Sequence, residues 1–148
     1  VTYDNGNAAK GIKNVIPQYP YGYGWSCIGT PTGATGTAIG TGISNTNAII
    51  AICSNSAAKF CSDAGGYLGS VDEFMEFYNN RTGLDLIPVL NSNEGASCWT
   101  STEVDDAHAK NFNWFYQNHQ ALTDWKQSGP GGPPPSTSKK VVAFKNYN

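Results

Sequence analysis

The sequence predicts an α+β domain built on a small antiparallel sheet. Three observations predict it. Strand-like segments stand near both ends of the chain and helix-like segments occupy the middle, so the two kinds of element are segregated. The length, 148 residues, suits a single domain, 1–148, with one core of its own. A long Gly-, Pro- and Thr-rich stretch with no helical or alternating period separates the first strands from the helices, and such stretches are usually functional.

The elements follow in order. "VTYD" reads as a short strand, ended by the turn signal "DNGN", and "GIKNVI" as a second strand. The loop "PQYPYGYGWSCIGTPTGATGTAIGTG" is expected to be ordered, pinned by Tyr21, Tyr23 and Trp25 and by Cys27. In "SNTNAIIAIC", Ala48, Ile49, Ile50, Ile52 and Cys53 give an apolar face, with Ser44 or Asn45 as the cap. "NSAAKFCSDAGG" reads as a second helix stopped at Gly65–Gly66. "GSVDEFMEFYNN" carries a capping box, Ser70 with Glu73, and an aromatic stripe of Phe74, Phe77 and Tyr78 that suits a core better than a cofactor. Beyond it the chain reads as loops and short strands. Phe112, Trp114 and Tyr116 share one side of an extended segment, "GPGGPPPSTS" is an irregular excursion, and "KKVVAFKNY" is a closing strand.

Composition excludes several function classes. Only 14% of residues are charged and the net charge is −2, which argues against nucleic-acid binding, since phosphate contacts need surplus Lys and Arg. No apolar run is long enough to insert in a bilayer, and "VTYDNGNAAKGIK" has no signal-peptide pattern, so a mature chain or an excised domain is expected. The four cysteines form no CxxC pair, which disfavours zinc. Their even number favours disulfides and an oxidising compartment. Three pairings are open; Cys53–Cys61, closing a short loop, with Cys27–Cys98 is the expected one, against four buried thiols.

The segment "SCWTSTE" poses the sharpest question. Three hydroxyls and a carboxylate follow Trp99, as in a catalytic cluster or at a well-bonded strand end. A serine nucleophile would need His108 or His119 as base and Asp105 or Asp106 to orient it, and no G-x-S-x-G turn surrounds Ser101. A carboxylate pair from Glu94, Glu103, Asp105 and Asp106 has no fixed separation. The expectation is scaffold: Trp99 in the core, hydroxyls on backbone groups, and Glu103 paired with a cation.

The blocks "GTAIGTGISNTNAIIAICSNSAAKFC", "GSVDEF", "CWTSTE" and "VVAFKNY", in that order, resemble the lectin-like C-terminal domain family of the Legionella collagen-like adhesin. The opening "VTYDNGNAAKGIK" is similar as well, so the resemblance covers nearly the whole chain. This sequence departs from the family pattern at Gly69 (Pro there), at Tyr67 (Trp nearby), and at Val142 and Lys145, which replace two arginines. The resemblance implies a C-type-lectin-like fold, with a twisted antiparallel sheet, two or three helices and long irregular loops. It implies a secreted or bacterial cell-surface adhesion domain, a homotrimer on collagen-like stalks, and binding of sulfated glycosaminoglycans. It also makes Lys145 the expected partner of Glu103.

The expected function is therefore adhesion through a glycan or host-surface polymer, at the tip of a longer surface protein, with no catalysis and no cofactor. Aromatic and amide side chains suit sugars, and the candidate ligand residues are Trp125, Lys126, Asn118, His119, Lys139 and Lys140. Lys126 with Lys139–Lys140 would form a basic patch, although paired lysines at a strand edge also simply discourage aggregation. The two histidines lack a metal-ligand pattern. The Glu-Pro-Asn, Gln-Pro-Asp and Trp-Asn-Asp triplets of calcium-dependent lectins are missing, leaving only a structural calcium open. The rival readings are a receptor-recognition domain for a protein partner and a formylglycine-generating-type enzyme, which would need a reactive cysteine pair.

Overall fold

The computed structural model describes residues 2–4, 9–15, 24–79, 97–113, 121–126, 139 and 141–147. Over these the chain is a small α+β domain with three helices and two antiparallel sheets. The elements are β1 (Thr2–Asp4), β2 (Ala9–Val15), α1 (Gly42–Ile52), α2 (Ala57–Asp63), β3 (Tyr67–Leu68), α3 (Val71–Asn79), β4 (Ser97–Glu103), β5 (His108–Asn113), β6 (Ala121–Trp125) and β7 (Val142–Tyr147). One sheet runs β1-β2-β7-β3 and the other β4-β5-β6. Both opening strands and the closing strand agree with the sequence reading. Tyr21, Tyr23, Trp114, Tyr116 and the Pro/Gly-rich excursion lie outside the described residues.

α3 forms where its local signals place it. The Ser70 amide donates to Glu73 Oε2 at 2.8 Å and the Glu73 amide to Ser70 Oγ at 3.4 Å, the reciprocal capping box. The stripe of Phe74, Phe77 and Tyr78 is buried. Phe74 meets Phe144 edge-on at 4.9 Å and stacks on Phe112 at 6.1 Å, so this helix joins the two sheets. A second cluster contains Trp25, Ile49, Leu68, Trp99 and Val141.

α2 is capped by Ser56, whose hydroxyl accepts from the Lys59 amide. It ends in a Schellman motif: Gly66 N–H donates to Cys61 C=O and Gly65 N–H to Ser62 C=O. Gly65 takes φ 82°, which its lack of a Cβ allows.

α1 differs from expectation. It begins at Gly42, and neither Ser44 nor Asn45 caps it. Asn45 is spent on the loop: its side chain accepts from Gly36 N–H at 3.2 Å and donates to Gly36 C=O at 2.7 Å and Ser101 Oγ at 3.1 Å. Ile49 and Cys53 are buried, whereas Ile52 is exposed, because the apolar run is longer than the face that packs.

The expected cysteine pairing is corrected. The disulfide joins Cys27 to Cys53, tying the long loop to the end of α1, and neither Cys53–Cys61 nor Cys27–Cys98 forms. Cys61, on α2, and Cys98, on β4, are buried thiols. Cys61 points into the core, with Sγ 3.7 Å from Val142 C=O, while Cys53 ends α1 beside the loop.

Candidate recognition surface

The segment "SCWTSTE" is β4, and its register shows why it carries so many hydroxyls. Trp99 pairs with Asn111 and Glu103 with Ala109, so Thr100, Ser101 and Thr102 together face Lys110 alone. This bulge removes three residues from the regular ladder, and their polar groups need other partners. Thr100 Oγ1 donates to Lys110 C=O at 2.9 Å and accepts from Thr102 N–H at 3.2 Å. Ser101 N–H donates to Gly69 C=O at 2.7 Å. Thr102 Oγ1 donates to Gly36 C=O at 2.9 Å and accepts from Val71 N–H at 3.3 Å. No histidine takes part in these bonds. Trp99 is 1% exposed, as expected of scaffold, and burying an indole contributes about 2–3 kcal/mol.

Glu103 is the buried hub of this region, but its partner is not Lys145. Lys126 Nζ lies 2.5 Å from Glu103 Oε1, with both side chains enclosed. The carboxylate also accepts from Thr32 N–H at 2.8 Å and Gly33 N–H at 2.8 Å. Burial alone would push its pKa up, but the Lys126 ammonium and these two amides outweigh it and hold Glu103 below its ordinary 4.5. The Lys126 ammonium sits 4.9 Å from the centroid of the buried Trp25 ring. Lys145 is exposed on β7, in the other sheet, which separates it from Glu103. One ion pair thus locks together the loop at 32–33, the end of β4 and the end of β6.

Above this hub lies an exposed surface. Trp125 is 58% exposed, whereas Trp25 is 0% exposed and Trp99 1%. His108 pairs with Trp125 across β5–β6, and their rings lie 4.3 Å apart. Asp105 Oδ1 accepts from Ala107 N–H at 2.8 Å and His108 N–H at 2.7 Å, and it lies 2.7 Å from His108 Nδ1. The backbone bond from Ala107, then those from the His108 ring and amide, hold the Asp105 carboxyl below its ordinary value. A carboxylate only accepts, so Nδ1 carries the proton of that bond, and Nε2 lies on the far side of the ring from it. One rung further, Lys110 pairs with Thr123, and its Nζ donates to Thr123 Oγ1 at 2.8 Å. The turn before β5 is itself fixed, since Gly29 N–H donates to Asp106 C=O and Lys126 N–H to Ala107 C=O.

Of the three expected ligand residues that the structure describes, Trp125 stands on this surface and Lys126 and Lys139 do not. Lys126 is 0% exposed and Lys139 7% exposed, which corrects the expected basic patch. Lys126 is turned inward to Glu103, and Lys139 is paired with Asp124 with its ammonium 4.8 Å from the Trp99 ring centroid. Both charges are neutralised in the interior, where a lone ammonium would be costly. Asn118, His119 and Lys140 lie outside the described residues. The expected ligand residues include neither His108 nor Lys110. The alternation of "HAKNFN" is the signal that finds them, since Ala109 and Asn111 are buried and His108 and Lys110 point to the opposite face.

Among the described residues, no group of three or more His, Cys, Asp or Glu could hold a metal, and no helix is long and apolar enough to cross a membrane. No protein-family model, curated protein or solved structure matches the chain.

Proposed function

We propose that the protein is a non-catalytic, extracellular adhesion domain of the C-type-lectin-like type that binds a glycan through the surface around Trp125. The observation that carries this reading is a large indole left 58% exposed, backed by the His108 ring, on a strand pair held rigid by a buried ion pair. An exposed aromatic ring offers an apolar face to a pyranose, and the adjoining imidazole, hydroxyl and ammonium offer hydrogen bonds to its hydroxyls. The long pinned loop and the two small antiparallel sheets support the lectin-like assignment. A sulfated polymer is a poorer ligand here than the resemblance implies, because Lys126 and Lys139 are consumed internally. An enzyme finds little support in β4, whose hydroxyls are bonded to backbone groups, or in Cys61, whose thiol is pushed up by burial and by the neighbouring Cys98. A homotrimer, as on the tip of a stalked surface protein, would present the surface three times and multiply a weak affinity.

The test is a glycan array followed by titration of tryptophan fluorescence. Trp125→Ala is expected to weaken a glycan hit at least about tenfold, or about 1.4 kcal/mol, with an unchanged melting temperature. Silence on every glycan, with saturable binding to a purified host-surface protein, would replace this reading by the receptor-recognition one.

A further inference from the structure

Resting on that reading, we propose that the Trp125 surface recognises a sugar residue bearing a carboxylate, with Lys110 and Thr123 as the groups that read it. His108–Trp125 and Lys110–Thr123 are neighbouring rungs on one face of the β5–β6 pair. Residues two apart on a strand are separated by about 6.8 Å, so a pyranose lying on the indole brings a ring substituent to the Lys110–Thr123 rung.

The chemistry of that rung suits an anion. The lysines at positions 59, 126 and 139 each sit on a carboxylate: Asp63, Glu103 and Asp124. Lys110 does not. Among the described residues its ammonium is bonded only to the Thr123 hydroxyl, leaving two of its three N–H donors unspent. Thr123 Oγ1 accepts from Lys110, and among the described residues no bond uses its own proton. Two donors 2.8 Å apart therefore face solvent together, a spacing that the two oxygens of one carboxylate can span. The nearby acids do not cancel this charge. Asp105 is engaged by two amides and the His108 ring at the turn, and Asp124, on the opposite face of β6, is bound to Lys139. A single ammonium–hydroxyl pair fits one monoanionic substituent, unlike the row of cations that a sulfated polymer requires. A carboxylate is also the stronger hydrogen-bond acceptor of the two anions.

The experiment uses matched glycans in which one neutral core is presented uncapped, capped with a sialyl or glucuronyl residue, or sulfated. Binding to the full chain is measured for the wild type, Lys110→Gln, Thr123→Ala and Trp125→Ala. The carboxylated form should bind at least about tenfold tighter than its neutral core, and more tightly than the sulfated form. Lys110→Gln should erase that advantage, weakening the carboxylated form at least about tenfold more than the neutral core, and Trp125→Ala should weaken all forms alike. Equal binding of the neutral and carboxylated forms, a stronger response to sulfate, or an advantage that survives Lys110→Gln would overturn the inference but leave the glycan-binding reading in place. No binding to any glycan would remove both. A thermal melt of each variant separates loss of recognition from loss of fold, since Lys110 and Thr123 lie at the surface.

Discussion

Replacing Lys126 with methionine tests whether the buried ion pair holds together the strands beneath the exposed Trp125. Lys126 and Glu103 have side chains 0% and 3% exposed, 2.5 Å apart. Methionine keeps most of the volume of the lysine stem and removes only the charge. Glu103 would then be a buried carboxylate with two amide donors and no cation. Removing one partner of such a pair costs about 3–5 kcal/mol, set against a total stability of about 5–15 kcal/mol for a domain. Glu103→Gln should cost a similar amount, because it strands the ammonium under Trp25. The double variant Glu103→Gln/Lys126→Met leaves neither charge exposed to the other's absence, so it should be more stable than the sum of the single losses implies, by about 2 kcal/mol or more. Urea unfolding at pH 7 on the four proteins measures the cycle. Additive effects, or single losses below about 1 kcal/mol, would refute the account and return Lys126 to the class of ordinary surface lysines. Lys145→Ala is the internal control and should change stability by less than about 0.5 kcal/mol.

Two further outcomes follow from the same core. Cys27→Ser/Cys53→Ser removes a crosslink spanning 26 residues, and the chain-entropy relation puts the loss at about 3.5 kcal/mol; urea unfolding should show it, because the hydrogen bonds of Asn45 to the loop do not replace a covalent link. Acid should also weaken the fold through Glu103. Its folded pKa lies below the ordinary 4.5, so the stabilisation is complete above that value and is lost as the pH falls through the folded pKa. Between about pH 5 and pH 2 the melting temperature of the wild type should therefore fall more steeply than that of Glu103→Gln; parallel slopes would contradict the assignment.

How much of this was legible in the sequence depended on whether the deciding interaction was local. The capping box of Ser70 and Glu73 and the stripe of Phe74, Phe77 and Tyr78 lie within one helix, and both stand where the sequence puts them. The scaffold role of Trp99 was legible for the same reason, as a bulky residue beside hydroxyls that suit a bonded strand. The cysteine pairing was not, because spacing ranks short loops first while the fold decides by which segment packs against the end of α1. Lys126 follows an exposed Trp125 and precedes turn residues, which suggested solvent. Its direction is set instead by where β6 ends, with Lys126 N–H on Ala107 C=O and the side chain turned under the sheet toward Glu103. The family resemblance offered Lys145 to Glu103 by motif order, and only the division of the strands into two sheets separates them. Of the surface, Trp125 was found from its polar neighbours, but the rung of Lys110 and Thr123 needs a cross-strand register that one chain's text does not contain.

The position of β7 has a consequence for how the molecule is made. This strand is late in the sequence, yet it runs between β2 and β3 and supplies hydrogen-bonding partners to both. During synthesis β1 and β2 can pair with each other, but the free edge of β2 and the whole of β3 must wait for residues 142–147. Completing this sheet therefore requires closing a loop of nearly the whole chain, the kind of non-local pairing that slows folding relative to local helices.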